Sequence, residues 1–170
     1  VTVLKSQEIP VRGLNNNNIT DGDSSPRSSD GTNFGTITQG GSTVTRTFTV
    51  TNDGDLTLTL GTPSLPSGYT LTNSLRSSLG ARQSDSFSVR LNSNSVGTKS
   101  GQISIVNNDS NENPFNFSVT GTVIGIPDLQ VKSLTVSNST VTPGDEIEID
   151  AVVKNFGTAD AAQSKIRYFF

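Results

Sequence analysis

The chain has 170 residues, 12 Lys and Arg against 15 Asp and Glu, a net charge of −3, and no Cys, His, Met or Trp. This inventory excludes disulfides, argues against zinc, iron and copper centres, and removes Ser-His-Asp, Cys-His and other histidine-based chemistry. The basic residues stand singly and no apolar run reaches spanning length, so neither nucleic acid nor a membrane-spanning segment is expected as a partner or element.

The wealth of Thr, Ser, Asn and Gly favours strands and turns over helices. Strands are expected in chain order at Val3–Val11, Thr36–Thr38, Val44–Asn52, Leu56–Leu60, Tyr69–Thr72, Ser84–Leu91, Gly101–Asn107 and Phe115–Ile124. Several alternate cleanly, with Phe48 and Val50, Phe87 and Val89, Ile103 and Ile105, and Phe117 and Val119 as the expected core. The breaks between them carry Asp-Gly, Pro-Ser-Gly, Asn-Asp and Asn-Pro, which is turn chemistry. A run of short half-buried strands of this kind predicts a β-sandwich over residues 1–125. Gly121 to Asp128 reads as a junction, with Pro127 fixing the entry to the next strand.

Beyond it, strands are expected at Leu129–Val136, Glu146–Asn155 and Ala162–Phe170, separated by a Thr142-Pro-Gly-Asp145 turn. Three strands cannot close a sandwich. The predicted fold is therefore all-β, two tandem sandwiches with the second, 126–170, incomplete. Val1 is not a start methionine and the chain stops on Tyr168-Phe169-Phe170, so a processed chain or a fragment is expected. Were Phe170 the true end, a neighbouring copy could supply the missing strand and build a filament.

The same device closes a strand in each half. Residues 44–54 end in Asn52-Asp-Gly54 and residues 147–157 in Asn155-Phe-Gly157, about a hundred residues later. The Asn side chain is expected to cap the turn and the Gly to adopt a left-handed conformation.

Candidate sites are few. Asp21, Asp23 and Asp30, in the polar stretch 15–35, are the metal candidates, for calcium alone among cofactors. The spacing is not that of an EF-hand, and the competing reading is an ordered loop of Asx-turns with Phe34 plugged onto the core. Asn107 to Pro114 could form a second oxygen-ligand site or a solvated hairpin tip. Glu146, Glu148 and Asp150 alternate, which suits a wet strand face better than paired catalytic acids. A Lys–Asn isopeptide crosslink would need one of the five lysines buried with an acid. Asn-x-Ser/Thr triplets start at Asn18, Asn108, Asn116 and Asn138. No catalytic residue is expected, and the chain is expected not to be an enzyme.

Ile19-Thr-Asp-Gly-Asp-Ser-Ser-Pro, Ser29-Asp-Gly-Thr-Asn-Phe-Gly35, Thr47-Phe-Thr-Val-Thr-Asn-Asp-Gly54 and Gly101-Gln-Ile-Ser-Ile with Pro114-Phe-Asn-Phe together resemble the choice-of-anchor D type of immunoglobulin-like repeat, which is related to ASH/HYDIN-like sandwiches. Asn33 stands where that pattern expects Asp before Phe-Gly, which weakens a metal reading of the loop. Pro127-Asp-Leu-Gln-Val, Val141-Thr-Pro-Gly-Asp and Val153-Lys-Asn-Phe-Gly-Thr-Ala-Asp-Ala resemble the first half of a CARDB module, a bacterial cell-adhesion-related domain. The resemblance implies two immunoglobulin-like sandwiches in a multi-domain bacterial protein, extracellular or at the cell surface, serving as spacer or adhesive unit. Its implied partners are other protein modules, copies of itself, or a cell surface or matrix. A carbohydrate- or protein-binding module of a secreted enzyme is the first rival, although Tyr69 and Tyr168 are its sole tyrosines and there is no Trp platform. An intracellular ASH/HYDIN-like scaffold is the second.

Overall fold

Alternation of an apolar face with a hydroxyl-bearing face lets short strands stack as two sheets over a thin core. The computed structural model describes residues 3–138 and 140–168. Two units divide between Ile124 and Gly125, one residue before the expected boundary.

The first unit runs β1 (Val11–Arg12), a 3₁₀ turn (Leu14–Asn16), β2 (Asn18–Ile19), β3 (Asn33–Thr38), β4 (Val44–Thr51), β5 (Leu58–Thr59), β6 (Tyr69–Asn73), β7 (Ser78–Leu79), β8 (Ser84–Leu91), β9 (Gly97–Ile105) and β10 (Phe115–Ile124). One sheet has the order β2-β1-β4-β8-β6, and the facing sheet has the order β3-β10-β9, with β3 parallel to β10. A small β5–β7 ribbon brings Leu58 opposite Leu79. The register sets Phe48 across from Phe87 and Phe117 across from Ile103. Phe48 then meets Phe117 between the sheets at a centroid distance of 5.2 Å, and Phe34 meets Tyr69 edge-on at 5.0 Å. Such ring pairs add to the area they bury. All eight expected core residues are fully buried, and Phe34 plugs the polar stretch onto them. The result is an all-β sandwich of a five-stranded and a three-stranded sheet.

On the outer face of β4 and β8, hydroxyls pair across the strands: Thr47 with Ser88 at 2.8 Å, Thr49 with Ser86 at 3.0 Å, and Thr51 with Ser84 at 2.9 Å. Of the expected Val3–Val11 strand, only Val11 lies in a strand, and residues 3–10 instead form a lead-in that bonds to Thr51 at the end of β4 and to the turn after it. Expected Leu56–Leu60 shrinks to Leu58–Thr59, while β2 and β7 were too short to announce themselves by alternation.

The second unit is an antiparallel ribbon of β11 (Leu129–Val136) and β12 (Ile149–Asn155). The expected strand from Glu146 begins at Ile149 instead, with Glu146 and Glu148 ahead of it. Residues 162–168 of the expected last strand carry no strand structure, because no partner ladder receives them; Phe169 and Phe170 lie outside the described residues. Leu129, Val131, Leu134, Val136 and Val152 are exposed, so this unit is an uncovered ribbon rather than a closed sandwich.

Candidate functional site

The Asn-x-Gly device is built twice with the same bonds. In the first unit Gly54 N–H donates to Asn52 Oδ1 at 3.0 Å, while Asn52 Nδ2 donates to the Leu56 and Leu79 carbonyls at 2.8 and 3.0 Å. In the second, Gly157 N–H donates to Asn155 Oδ1 at 2.9 Å, and Asn155 Nδ2 donates to the Ala159 carbonyl at 2.7 Å. Each turn also grips the segment that leads into its unit. Asp53 N–H donates to Glu8 O at 3.0 Å and Asp55 N–H to Lys5 O at 3.0 Å. Likewise Phe156 N–H donates to Asp128 O at 2.7 Å and Thr158 N–H to Ile126 O at 2.8 Å.

The glycines are not left-handed as expected. They are required because the lead-in backbone presses on them. A Cβ on Gly54 would sit 1.9 Å from Ser6 O, and one on Gly157 would sit 2.2 Å from Ile126 O. Close backbone approach, not turn conformation, selects glycine at both places.

The calcium candidates are not gathered around a common point. Asp23 accepts from Ser25 N–H at 2.9 Å and from Arg27 Nη1 at 2.8 Å. Asp30 is buried, accepts from Thr32 N–H at 2.9 Å and Thr32 Oγ1 at 2.6 Å, and lies 3.8 Å from the same Arg27 nitrogen. Asp21 faces elsewhere and accepts from Asn116 N–H at 2.7 Å. Loop backbone and one guanidinium therefore occupy these carboxylates, which is the ordered-loop arrangement.

Among the described residues, three acids that do converge are Glu8, Asp109 and Glu112, with carboxylate oxygens within 4.8 Å of one another. Glu8 and Glu112 line a groove of about 240 Å³, together with Ile9, Ile19, Asp21 and Phe115. Asp109 is buried and accepts from Ile9 N–H at 3.2 Å and Asn111 N–H at 3.4 Å. Burial raises the Glu112 carboxyl above its ordinary range, and Asp109, Glu8 and Asp21 push it the same way. Oxygen donors suit calcium, which takes six to eight. Three carboxylates giving one oxygen each, one of them already holding two backbone N–H groups, supply at most half of them. Sequence reading marked the 107–114 loop as oxygen-rich but could not bring in Glu8, which is a hundred residues away.

The remaining candidates have structural partners. Asn108 is engaged with β5 through Thr59 N–H at 2.8 Å and Thr57 O at 3.2 Å, and Asn116 donates to Pro114 O at 3.1 Å. Glu148 N–H donates to Ser137 Oγ at 3.1 Å, continuing the ribbon past β12. No lysine is buried among the described residues, so the isopeptide arrangement is not formed. Tyr69 donates to the Lys99 carbonyl at 3.1 Å, and burial pushes its hydroxyl pKa up. Thr142 N–H and hydroxyl hold the Asp145 carboxyl below its ordinary range and close the Pro-Gly turn.

A family described as protein of unknown function (DUF1573) matches residues 27–123, and CARDB matches residues 126–170. No curated protein matches the chain. Among solved structures, PapD-like domain 7 of human CEP192, an ASH/PapD-like domain, is similar at 14% identity, with 73% of this chain and 90% of that chain covered and a TM-score of 0.43. A protein of unknown function from Porphyromonas gingivalis is similar at 14% identity, covering 88% and 81%, with a TM-score of 0.39. The VesB protease of Vibrio cholerae is similar at 16% identity over 54% of this chain, with a TM-score of 0.40; the match spans 29% of the protease chain. These structural likenesses are too distant to carry an argument about activity.

Proposed function

The chain belongs to the family described as protein of unknown function (DUF1573), its immunoglobulin-like repeat being followed by a CARDB module, and from that premise we propose a non-enzymatic structural or adhesive role. The segment serves a multi-domain bacterial protein working outside the cell or at its surface. One observation carries this reading: successive modules are each tied to their lead-in by the same Asn-x-Gly joint. Ladders between strands resist extension, and exposed loops and edges offer contacts to other modules, to copies of the chain, or to a surface or matrix.

The test exchanges residues 3–168, in the protein as its cells make it, for two unrelated sandwiches of equal length. Retained display and adhesion are the expected outcome. Display without adhesion would overturn the spacer role in favour of a carbohydrate- or protein-binding accessory module.

A second reading, strand addition between copies, is favoured by the apolar side chains of the ribbon, with Val131 58% and Val152 54% exposed. It predicts mass growth in light scattering as concentration rises. A constant monomer mass would sink it.

A further inference from the structure

We propose that the Asn-x-Gly turn is a force-bearing clasp: it holds the lead-in of its unit in shear, so that tension along the chain meets this joint before it reaches the core. The inference rests on the structural role proposed above and adds where the force is resisted.

Three observations in the first unit carry it. Thr51, Asp53 and Asp55 N–H groups donate to Pro10, Glu8 and Lys5 carbonyls at 3.1, 3.0 and 3.0 Å, an antiparallel set that continues the Val11–Val50 pairing of β1 and β4. Ile9, between the bonded Glu8 and Pro10 of this lead-in, is fully buried, and its N–H donates to the buried Asp109 carboxylate. Gly54 lets the lead-in pass so close that a single added carbon would meet Ser6 O at 1.9 Å. The lead-in is thus bonded on both sides and packed from below.

Geometry sets the direction of loading. Ile9 and Phe115 line one groove, and Phe115 opens β10 while Ile124 closes it nine residues later, about 30 Å away. Tension between residue 3 and Ile124 therefore runs along the strands. The clasp bonds are then strained side by side rather than peeled one at a time. The second unit's lead-in is gripped by the same kind of bonds, Thr158 and Phe156 N–H donating to the Ile126 and Asp128 carbonyls.

The chain has no cysteine, so single-molecule handles can be placed at will. One form of the full chain carries Val3→Cys and Ile124→Cys, and pulls through the lead-in. A second carries Ser24→Cys and Ile124→Cys, and bypasses it. Val3, Ser24 and Ile124 are all exposed. Gly54→Ala, which must displace the lead-in while leaving the Asn52 bonds their own geometry, is compared in both forms. Asp55→Ala, which removes the carboxylate that accepts Lys5 N–H at 2.8 Å, is the milder variant should Gly54→Ala fold poorly.

The expected result in the first form is unfolding of the first unit at fixed force, with no separate lengthening as the clasp slips, because residues 3–10 already run extended beside β4 along the direction of pull. Its rate at fixed force should rise at least about tenfold in Gly54→Ala, as the loss of one or more buried bonds implies. Asp55→Ala should move it the same way by less. The second form should unfold as the unsubstituted chain does. Equal weakening in both forms, or no change in the first, would overturn the clasp while leaving the structural role standing. Absence of any force peak from the unsubstituted chain in either form would instead overturn that role.

Discussion

Asn52→Ala removes the side chain that organises the first joint. Asn52 is 0% exposed and makes three bonds, so truncation strands the Gly54 N–H and the Leu56 and Leu79 carbonyls. A buried polar group left unpaired costs about 1–3 kcal/mol. The Leu56 bond is only part-buried, so water can take it over. That leaves two stranded groups and an expected loss of about 3–4 kcal/mol, a large share of the ~5–15 kcal/mol that holds a domain together. Asn52→Asp keeps the acceptor for Gly54 N–H but turns a carboxylate oxygen toward two carbonyls. Its folded-state pKa is then raised, so its stability is greatest at low pH and falls as pH rises through that pKa. Asn155→Ala should cost about 1 kcal/mol, because its surroundings are half-exposed. Urea unfolding of the chain followed by circular dichroism, with Tyr69 fluorescence as a core reporter, measures all three. A loss below about 1 kcal/mol for Asn52→Ala, or a pH-independent Asn52→Asp, would refute the reasoning.

Phe117→Ala should cost about 3–5 kcal/mol in the same assay, since it vacates the contact between the sheets with Phe48 and a second ring contact with Phe115. Glu112 has a raised pKa in the folded state, so its contribution is intact below the ordinary glutamate range and lost as pH rises through the folded value. Melting temperature against pH should accordingly fall less steeply above that range in Glu112→Gln; parallel profiles would contradict it. A double-mutant cycle on Thr49→Val and Ser86→Ala should give a coupling of at most about 1 kcal/mol, because the pair lies on a wet sheet face.

The first sandwich was legible where side chains alternate. Phe48, Val50, Phe87 and Val89 declare their face through period two alone, and the same holds for Ile103, Ile105, Phe117 and Val119. The repeated Asn-x-Gly was equally visible, but its reason was not. Gly54 is selected by Ser6 and Gly157 by Ile126, and neither contact leaves a local mark. The acids divide along the same line. Asp23 and Asp30 satisfy themselves within their own loop, whereas Glu8 meets Asp109 and Glu112 only after the lead-in docks. Alternation also says nothing of whether a face is covered, since Leu129–Val136 was legible as a strand while its Val131 and Val136 stand exposed.

The central claim, a structural or adhesive role at or beyond the cell surface, is tested most directly by antibody labelling against residues 3–124 on intact cells that make the protein. Labelling without permeabilisation, lost after brief external protease treatment, is the predicted result. Labelling that appears only after the cells are opened would contradict it.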